Sequence, residues 1–270
     1  MTAPVYSVPP VERAFKLLRH IAAGDNAHNV SHTARALGLS RTTLIRLIAT
    51  LEAERMIERQ QDGAGYKLGL GLAALAGQAL FSTDLVQVGD PVLAKLADQL
   101  GLSSHLGILD GRDVLYVARR TPNLHLVSNV RIGSRLPAHA TTLGRIILAF
   151  TPREAVVQLF HGVRLKAATA KTPTTLAALL RQIELDRGEG LAWSESNFEI
   201  GIASVAAPVF DHTGRIAGGV NVTGPSHSFE TGDQRHAEIK SAVNSAAAAI
   251  SRRLGHVPAD DASKTVRSAR

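Results

Sequence analysis

The sequence predicts an α+β protein in two domains. Two patterns carry that expectation. Residues 1–69 read as helix, helix, helix and hairpin, and residues 84–255 alternate strand pairs with amphipathic helices. Length agrees, because 270 residues suffice for two modest cores. At 45% hydrophobic and 20% charged residues the composition is that of a globular chain, not a disordered one.

Element by element, Pro9 and Pro10 suit a helix start. Val11, Ala14, Phe15, Leu18, Ile21 and Ala22 recur at helical spacing, and Gly24-Asp25-Asn26 ends the helix. A second short helix is expected from a Ser31 cap to Leu37, broken by Gly38. Ser40 caps a third over 41–54, with Leu44, Leu47, Ile48 and Leu51 as its buried stripe. Residues 57–60 and 66–68 flank the turn-forming Gln61-Asp62-Gly63-Ala64-Gly65 and read as a β-hairpin. The Ala/Leu-rich stretch that follows is a connecting helix, so 70–83 forms a linker with Ser82-Thr83-Asp84 as its junction.

Beyond the linker, 84–100 reads as helix, and 104–109 and 114–118 as a hairpin around Asp110-Gly111-Arg112. Helices are expected over 142–150, 153–161 and 174–186, and a further hairpin pairs 205–210 with 216–222. A closing helix over 232–254 buries Ile239, Ala242, Val243, Ala246, Ile250 and Leu254. The sheet is therefore expected to be largely antiparallel. Residues 256–270 are small and polar and are expected to be disordered. No internal repeat is visible.

Several function classes fall away at once. With no cysteine, disulfides, zinc–thiolate sites, Fe–S clusters and thiol nucleophiles are excluded. No secretory leader and no uncharged run of the roughly 20 residues a membrane helix needs is present, so a cytoplasmic protein without a membrane partner is expected. The net charge of +7 invites a nucleic-acid partner. Its distribution selects no half, however: residues 1–82 hold nine Lys/Arg against six Asp/Glu, and residues 83–255 hold eighteen against fifteen.

The case for DNA rests on pattern. Residues 31–51 fit a helix-turn-helix, with Ala34 where two helices cross and Gly38 in the turn. The third helix then presents Arg41, Thr42, Ile45, Arg46 and Ala49 opposite its core stripe. Arginine can bond guanine O6/N7, threonine a phosphate or base, and an apolar side chain a thymine methyl. The hairpin directly after it makes a winged variant, with Arg59 and Lys67 placed for phosphates. Ser40 and Thr43 complete this DNA-binding set.

Other signals are weaker. Gly69-Leu70-Gly71-Leu72-Ala73-Ala74 matches a loose dinucleotide fingerprint, but no buried strand precedes it. No GxSxG, GxxxxGK[ST] or HExxH occurs, and the eleven histidines form no ligand cluster, so no catalytic residue, metal or cofactor is expected. The run from Ile132 to Arg145 gathers small and hydroxyl residues at a helix start, where free amides attract anions. His139, Thr141, Thr142 and Leu143 are its candidate ligand residues, with a carboxylate as the expected ligand. Ser204, Asn221 and Thr223 form a second polar set, the last two on one strand face.

Taken in order, several motifs resemble the IclR family of transcriptional regulators over about residues 9–255. They are Val11-Glu12-Arg13-Ala14-Phe15-Lys16-Leu17-Leu18, Ala34-Arg35-Ala36-Leu37-Gly38-Leu39, residues 43–51 (TLIRLIATL) and Tyr66-Lys67-Leu68-Gly69. Later come Gly133-Ser134-Arg135-Leu136-Pro137-Ala138-His139-Ala140, Glu199 with Gly201, Ala206-Ala207-Pro208-Val209 and Gly224-Pro225. The resemblance implies a winged helix-turn-helix domain joined by a linker helix to a GAF-like effector-binding domain. It also implies homodimers, often dimers of dimers, on pseudo-palindromic double-stranded operators, repressing or activating catabolic genes in response to small organic or aromatic acids. By position, Leu136, Thr142, Leu143, Ser204, Asn221 and Thr223 match the family's effector pocket. The chain departs from the family at Arg55, where a glycine usually follows the recognition helix, at Ser194-Glu195, where many members have an acidic pair, and at Ser204, where several have cysteine.

The competing expectation is a small-molecule enzyme or ligand-binding module with an accessory helical domain. It lacks any nucleophile–base–acid set at recognisable spacing.

Overall fold

The computed structural model describes residues 6–60, 63, 65–81, 84–122, 130–229 and 233–257. The expected junction at Ser82-Thr83, most of the wing turn (61, 62 and 64) and the expected tail beyond 257 lie outside the described residues. The chain divides into two compact units between Ser82 and Thr83.

The first unit holds α1 (Pro9–Ala22), α2 (Val30–Leu37), α3 (Arg41–Ala53), β1 (Ile57–Arg59), β2 (Tyr66–Leu68) and α4 (Leu70–Phe81). Gly38 ends α2 in the left-handed conformation at φ 68. The Ser40 hydroxyl accepts the Thr43 amide and so opens α3. Leu17, Ile21, Ala27, Ala34, Leu44, Ile48, Leu51 and Ile57 form the core, and β1 pairs antiparallel with β2.

Two expectations change. Of the expected α1 stripe, Ile21 is buried and Ala14 and Leu18 pack against the core, which Leu17 joins, whereas Val11 and Phe15 are about half exposed. Periodicity finds an apolar face but not which of two adjacent apolar stripes meets a neighbour. The α2 cap is Asn29, whose side chain accepts the His32 amide, so Ser31 lies inside the helix.

Arg55 takes the left-handed conformation itself, at φ 56. Its amide bonds to Glu52 O and that of Met56 to Leu51 O, the paired closure that glycine usually makes at a helix end. The chain returns over this corner. Gly69 N–H donates to Met56 O and Gly71 N–H to Arg55 O, and a Cβ on Gly69 would stand 2.3 Å from that carbonyl. The spacing that imitates a dinucleotide motif therefore serves backbone packing.

The second unit holds α5 (Asp84–Leu100), β3 (Ser103–Asp110), β4 (Asp113–Arg120), β5 (Arg135–Pro137), α6 (Thr142–Ala149), α7 (Arg153–Phe160), α8 (Leu176–Glu189), β6 (Ala192–Glu195), β7 (Ile202–Phe210), β8 (Ile216–Pro225) and α9 (Asp233–Arg253). The strands make one antiparallel sheet in the order β5-β4-β3-β8-β7-β6. Short β5 and β6 extend the two hairpins read from sequence; at three and four residues they carry little alternation to detect.

Alternation sorts the two faces. Ser104 and Leu106 of β3 meet α5, through the Ser104 hydroxyl on Leu93 O and the close approach of Leu106 to Gly89. Ser103, His105 and Gly107 face the side that α6 covers. Glycines let α6 approach closely, since a Cβ on Gly107 or Gly219 would meet the Leu143 side chain at 2.6 or 3.0 Å.

Behind α6, buried Arg145 pairs with Asp186 of α8. Nε and Oδ2 stand 3.0 Å apart without hydrogen-bond alignment, while Nη2 donates to Trp193 O at 2.8 Å and Gln182 donates to Asp186 at 3.1 Å. Burial opposes both charges, lowering the Arg145 pKa and raising that of Asp186.

Candidate functional site

The sheet register builds a row of hydroxyls. Ser194 lies opposite Ser204, Ser204 opposite Thr223, and Thr223 opposite Ser103. Adjacent strands lie about 4.8 Å apart, so the row spans about 14 Å. One step along, Asn221 lies opposite His105. These residues floor a cavity of about 550 Å³, within the range of small-molecule sites. Apolar walls come from Leu102, Leu136, Phe198 and Ile202, and the α6 start closes one end.

A hydrogen-bonded chain runs across the cavity wall. Thr142 and Ser204 hydroxyls meet at 2.7 Å, Asn221 Nδ2 donates to Ser204 Oγ at 2.9 Å, and His105 Nδ1 lies 3.1 Å from Asn221 Oδ1. With Oδ1 as acceptor, Nδ1 carries the proton and Nε2 holds a lone pair. Burial pushes His105 down to about 4, so it is neutral at pH 7. The Tyr116 ring meets the imidazole edge to face at 5.5 Å. At the α6 start Thr141 accepts the Gly144 amide, which leaves the Thr142 and Leu143 amides without an intrahelical acceptor.

Of the residues expected from sequence, Leu136, Thr141, Thr142, Ser204, Asn221 and Thr223 line the cavity. His139 and Leu143 do not, and both expectations are corrected. The His139 Nε2 lies 3.0 Å from Lys166 O and its ring packs against Phe160, outside the cavity. Leu143 is fully buried in the core, against the glycines of β3 and β8. Sequence reading missed His105, Tyr116 and Ser103. For Ser103 and His105 the signal was available in the alternation of β3, whose first odd residues share one face with Asn221 and Thr223 across the ladder.

In the first unit, Arg41, Thr42, Ile45 and Arg46 are exposed on one face of α3. Neither Arg41 nor Arg46 has a side-chain hydrogen bond or ion pair among the described residues. Ser40 and Thr43 hydroxyls meet at 2.9 Å and are occupied with the helix start. The two wing cations are paired, Arg59 with Glu52 of α3 at 2.9 Å and Lys67 with Glu58 at 3.6 Å. Arg59 also lies over the Tyr66 ring. Both remain more than half exposed, so phosphate contact requires exchange of a surface carboxylate, a change of small free energy.

Comparison with known proteins adds to this geometry. Residues 10–61 match the IclR helix-turn-helix domain and residues 77–252 the bacterial transcriptional regulator IclR C-terminal domain. The glycerol operon regulatory protein of Streptomyces griseus is 32% identical over 92% of this chain and 97% of its own length. Among solved structures, a transcriptional regulator of Rhodococcus sp. RHA1 superposes with a TM-score of 0.82 at 27% identity, over 92% of this chain and 98% of that one. An IclR homologue of Microbacterium hydrocarbonoxydans, crystallised with 4-hydroxybenzoate, shares the fold with a TM-score of 0.79 at 21% identity, over 91% of this chain and 98% of that one. With both of its domains matched in order, this chain belongs to the IclR family of transcriptional regulators.

Proposed function

We propose that this regulator controls catabolic genes in response to a small organic or aromatic acid bound in the cavity of its second unit. The observation that carries the reading is the conjunction at that cavity: a hydroxyl-rich floor, apolar walls, and the start of α6, where the Thr142 amide has no intrahelical acceptor. The carboxylate lies against the Thr142 amide and the Thr141 and Thr142 hydroxyls, with Asn221 and Thr223 fixing the rest of the molecule and Leu136 packing its apolar body. Operator recognition falls to Arg41, Thr42, Ile45 and Arg46, with Ser40 and Thr43 setting the helix start and Arg59 and Lys67 bonding phosphates.

The working form is a cytoplasmic homo-oligomer, a dimer or dimer of dimers, on a pseudo-palindromic operator, and it performs no catalysis. Residues 1–69 make the DNA-binding domain, 70–83 the linker and 84–255 the effector domain. Among the described residues no helix is long and apolar enough to cross a membrane.

Footprinting on the DNA upstream of the protein's own gene, at physiological salt with unrelated competitor DNA, tests the reading. Two protected half-sites one or more helical turns apart are expected. Arg46→Ala should weaken operator binding by about 1–3 kcal/mol while barely changing binding to unrelated DNA. Equal losses on both would remove Arg46 from base recognition. Stabilisation of the protein by organic acids that survives unchanged in Asn221→Ala would remove Asn221 from the pocket.

A further inference from the structure

Among the described residues that line this cavity, none is Lys or Arg. The lining does include one carboxylate, Glu199. A buried anion needs a counter-charge or dense hydrogen bonding. Of the two histidines in the described lining, His105 is the one buried in the wall. Its ring is fully buried, Nδ1 is bound to Asn221, and Nε2 has no partner among the described residues.

We propose, on the reading that the effector is an acid, that His105 supplies the missing positive charge by taking up a proton as the carboxylate binds. In the free protein the imidazole stays neutral, because protonation would place an unpaired charge in an apolar wall. When the carboxylate arrives, one proton from solvent adds to the Nε2 lone pair, and the imidazolium and carboxylate compensate each other. The overall change is neutral imidazole plus carboxylate plus one solvent proton giving an imidazolium in the wall and a carboxylate in the cavity, with no bond broken. The effector is thus bound as the sum of its anion and a proton.

The groups around the ring fit this role. Tyr116 from β4 presents a neutral phenol that burial keeps protonated, and Asn221 from β8 accepts from Nδ1 in either charge state. Arg119, opposite His105 in the β4 register, opposes protonation, as does burial itself. Thr142 from α6 joins through Ser204 and Asn221. Among the described lining residues, Glu199 and His227 are the other groups that titrate between about pH 3 and 8, and both are exposed.

Calorimetric titration of the full-length protein with 4-hydroxybenzoate, benzoate, pyruvate and glyoxylate tests this, with 4-hydroxybenzamide and glycerol as uncharged probes. Running each titration in two buffers of different ionisation enthalpy counts the protons exchanged. For an acid that binds, uptake approaching one proton at pH 6 is expected, with Kd rising about tenfold per pH unit from about pH 5.5 towards neutrality. His105→Asn, which keeps a donor for Asn221, should abolish both, whereas His212→Gln, at an exposed position outside the described lining, should keep both. An acid that binds without proton uptake overturns the proposal and leaves the acid reading standing. Should uptake persist in folded His105→Asn, the proton belongs elsewhere and the proposal falls. Binding confined to the uncharged probes, or absent altogether, overturns the acid reading and the proposal together. The proton count comes from the wild-type protein, so it tests the proposal even where the His105→Asn chain fails to fold.

Discussion

At the scale of single residues, burial makes His105 a liability in acid. Its folded value of about 4 lies below the ordinary 6.5 of a histidine in the unfolded chain, with desolvation as the main cause, the Asn221 bond acting the other way and the Arg119 charge adding to the fall. The unfolded state therefore binds the proton first. Stability from the neutral ring is complete above pH 6.5 and is withdrawn as pH falls from 6.5 to 4, by about 1.4 kcal/mol per unit and about 3 kcal/mol in all. The chain's one tryptophan, Trp193, lies in the second unit and reports that unit's unfolding. Urea midpoints followed by its fluorescence should fall more steeply between pH 7 and 5 for the wild type than for His105→Asn. Parallel curves would show that His105 is not the group that couples protons to this unit.

Elements show what a sequence can and cannot announce. The Arg145–Asp186 pair joins α6, α8 and, through Trp193 O, β6. In Asp186→Asn the guanidinium stays buried without its counter-charge, and a loss of about 3–5 kcal/mol is expected. Replacing both members, as Arg145→Met with Asp186→Leu, should recover most of it; equal instability of the single and double variants would count against a charge effect. No sequence rule pairs residues 41 positions apart, so this contact was invisible. The order of helices, the Ser40 cap, the Gly38 turn and the wing hairpin were legible because each depends on neighbours a few residues away. The α1 face was read in part: Ala14, Leu18 and Ile21 meet the core as their spacing suggests, but Val11 and Phe15 repeat as regularly and stay half exposed, and only packing separates them. At the cavity, hydroxyls on late strands were readable by alternation, whereas His139 and Leu143 lie in a motif whose chain turns them elsewhere. Nothing local distinguishes a wall residue such as His105 from a core histidine.

For the whole molecule, the effector acts on the operator only through a difference in its affinity for DNA-binding and DNA-free states. Whatever factor the acid imposes on operator affinity, the operator imposes on the acid. Proton uptake at His105 adds a third ligand to this cycle. At a fixed subsaturating concentration of an acid that binds, occupancy of the cavity is greater at pH 6 than at pH 7.5, so the effector-driven change in operator Kd should be greater as well. Without effector the His105 ring is neutral at both pH values, since both lie well above about 4, and contributes no pH dependence of its own. The comparison is therefore between operator titrations with and without acid at each pH, read as a ratio in which the direct effect of pH on protein–DNA contacts cancels. A ratio that moves further from one at pH 6 is expected. The same ratio at both pH values, with the cavity held well below full occupancy, would separate the cavity's proton from the control of DNA binding.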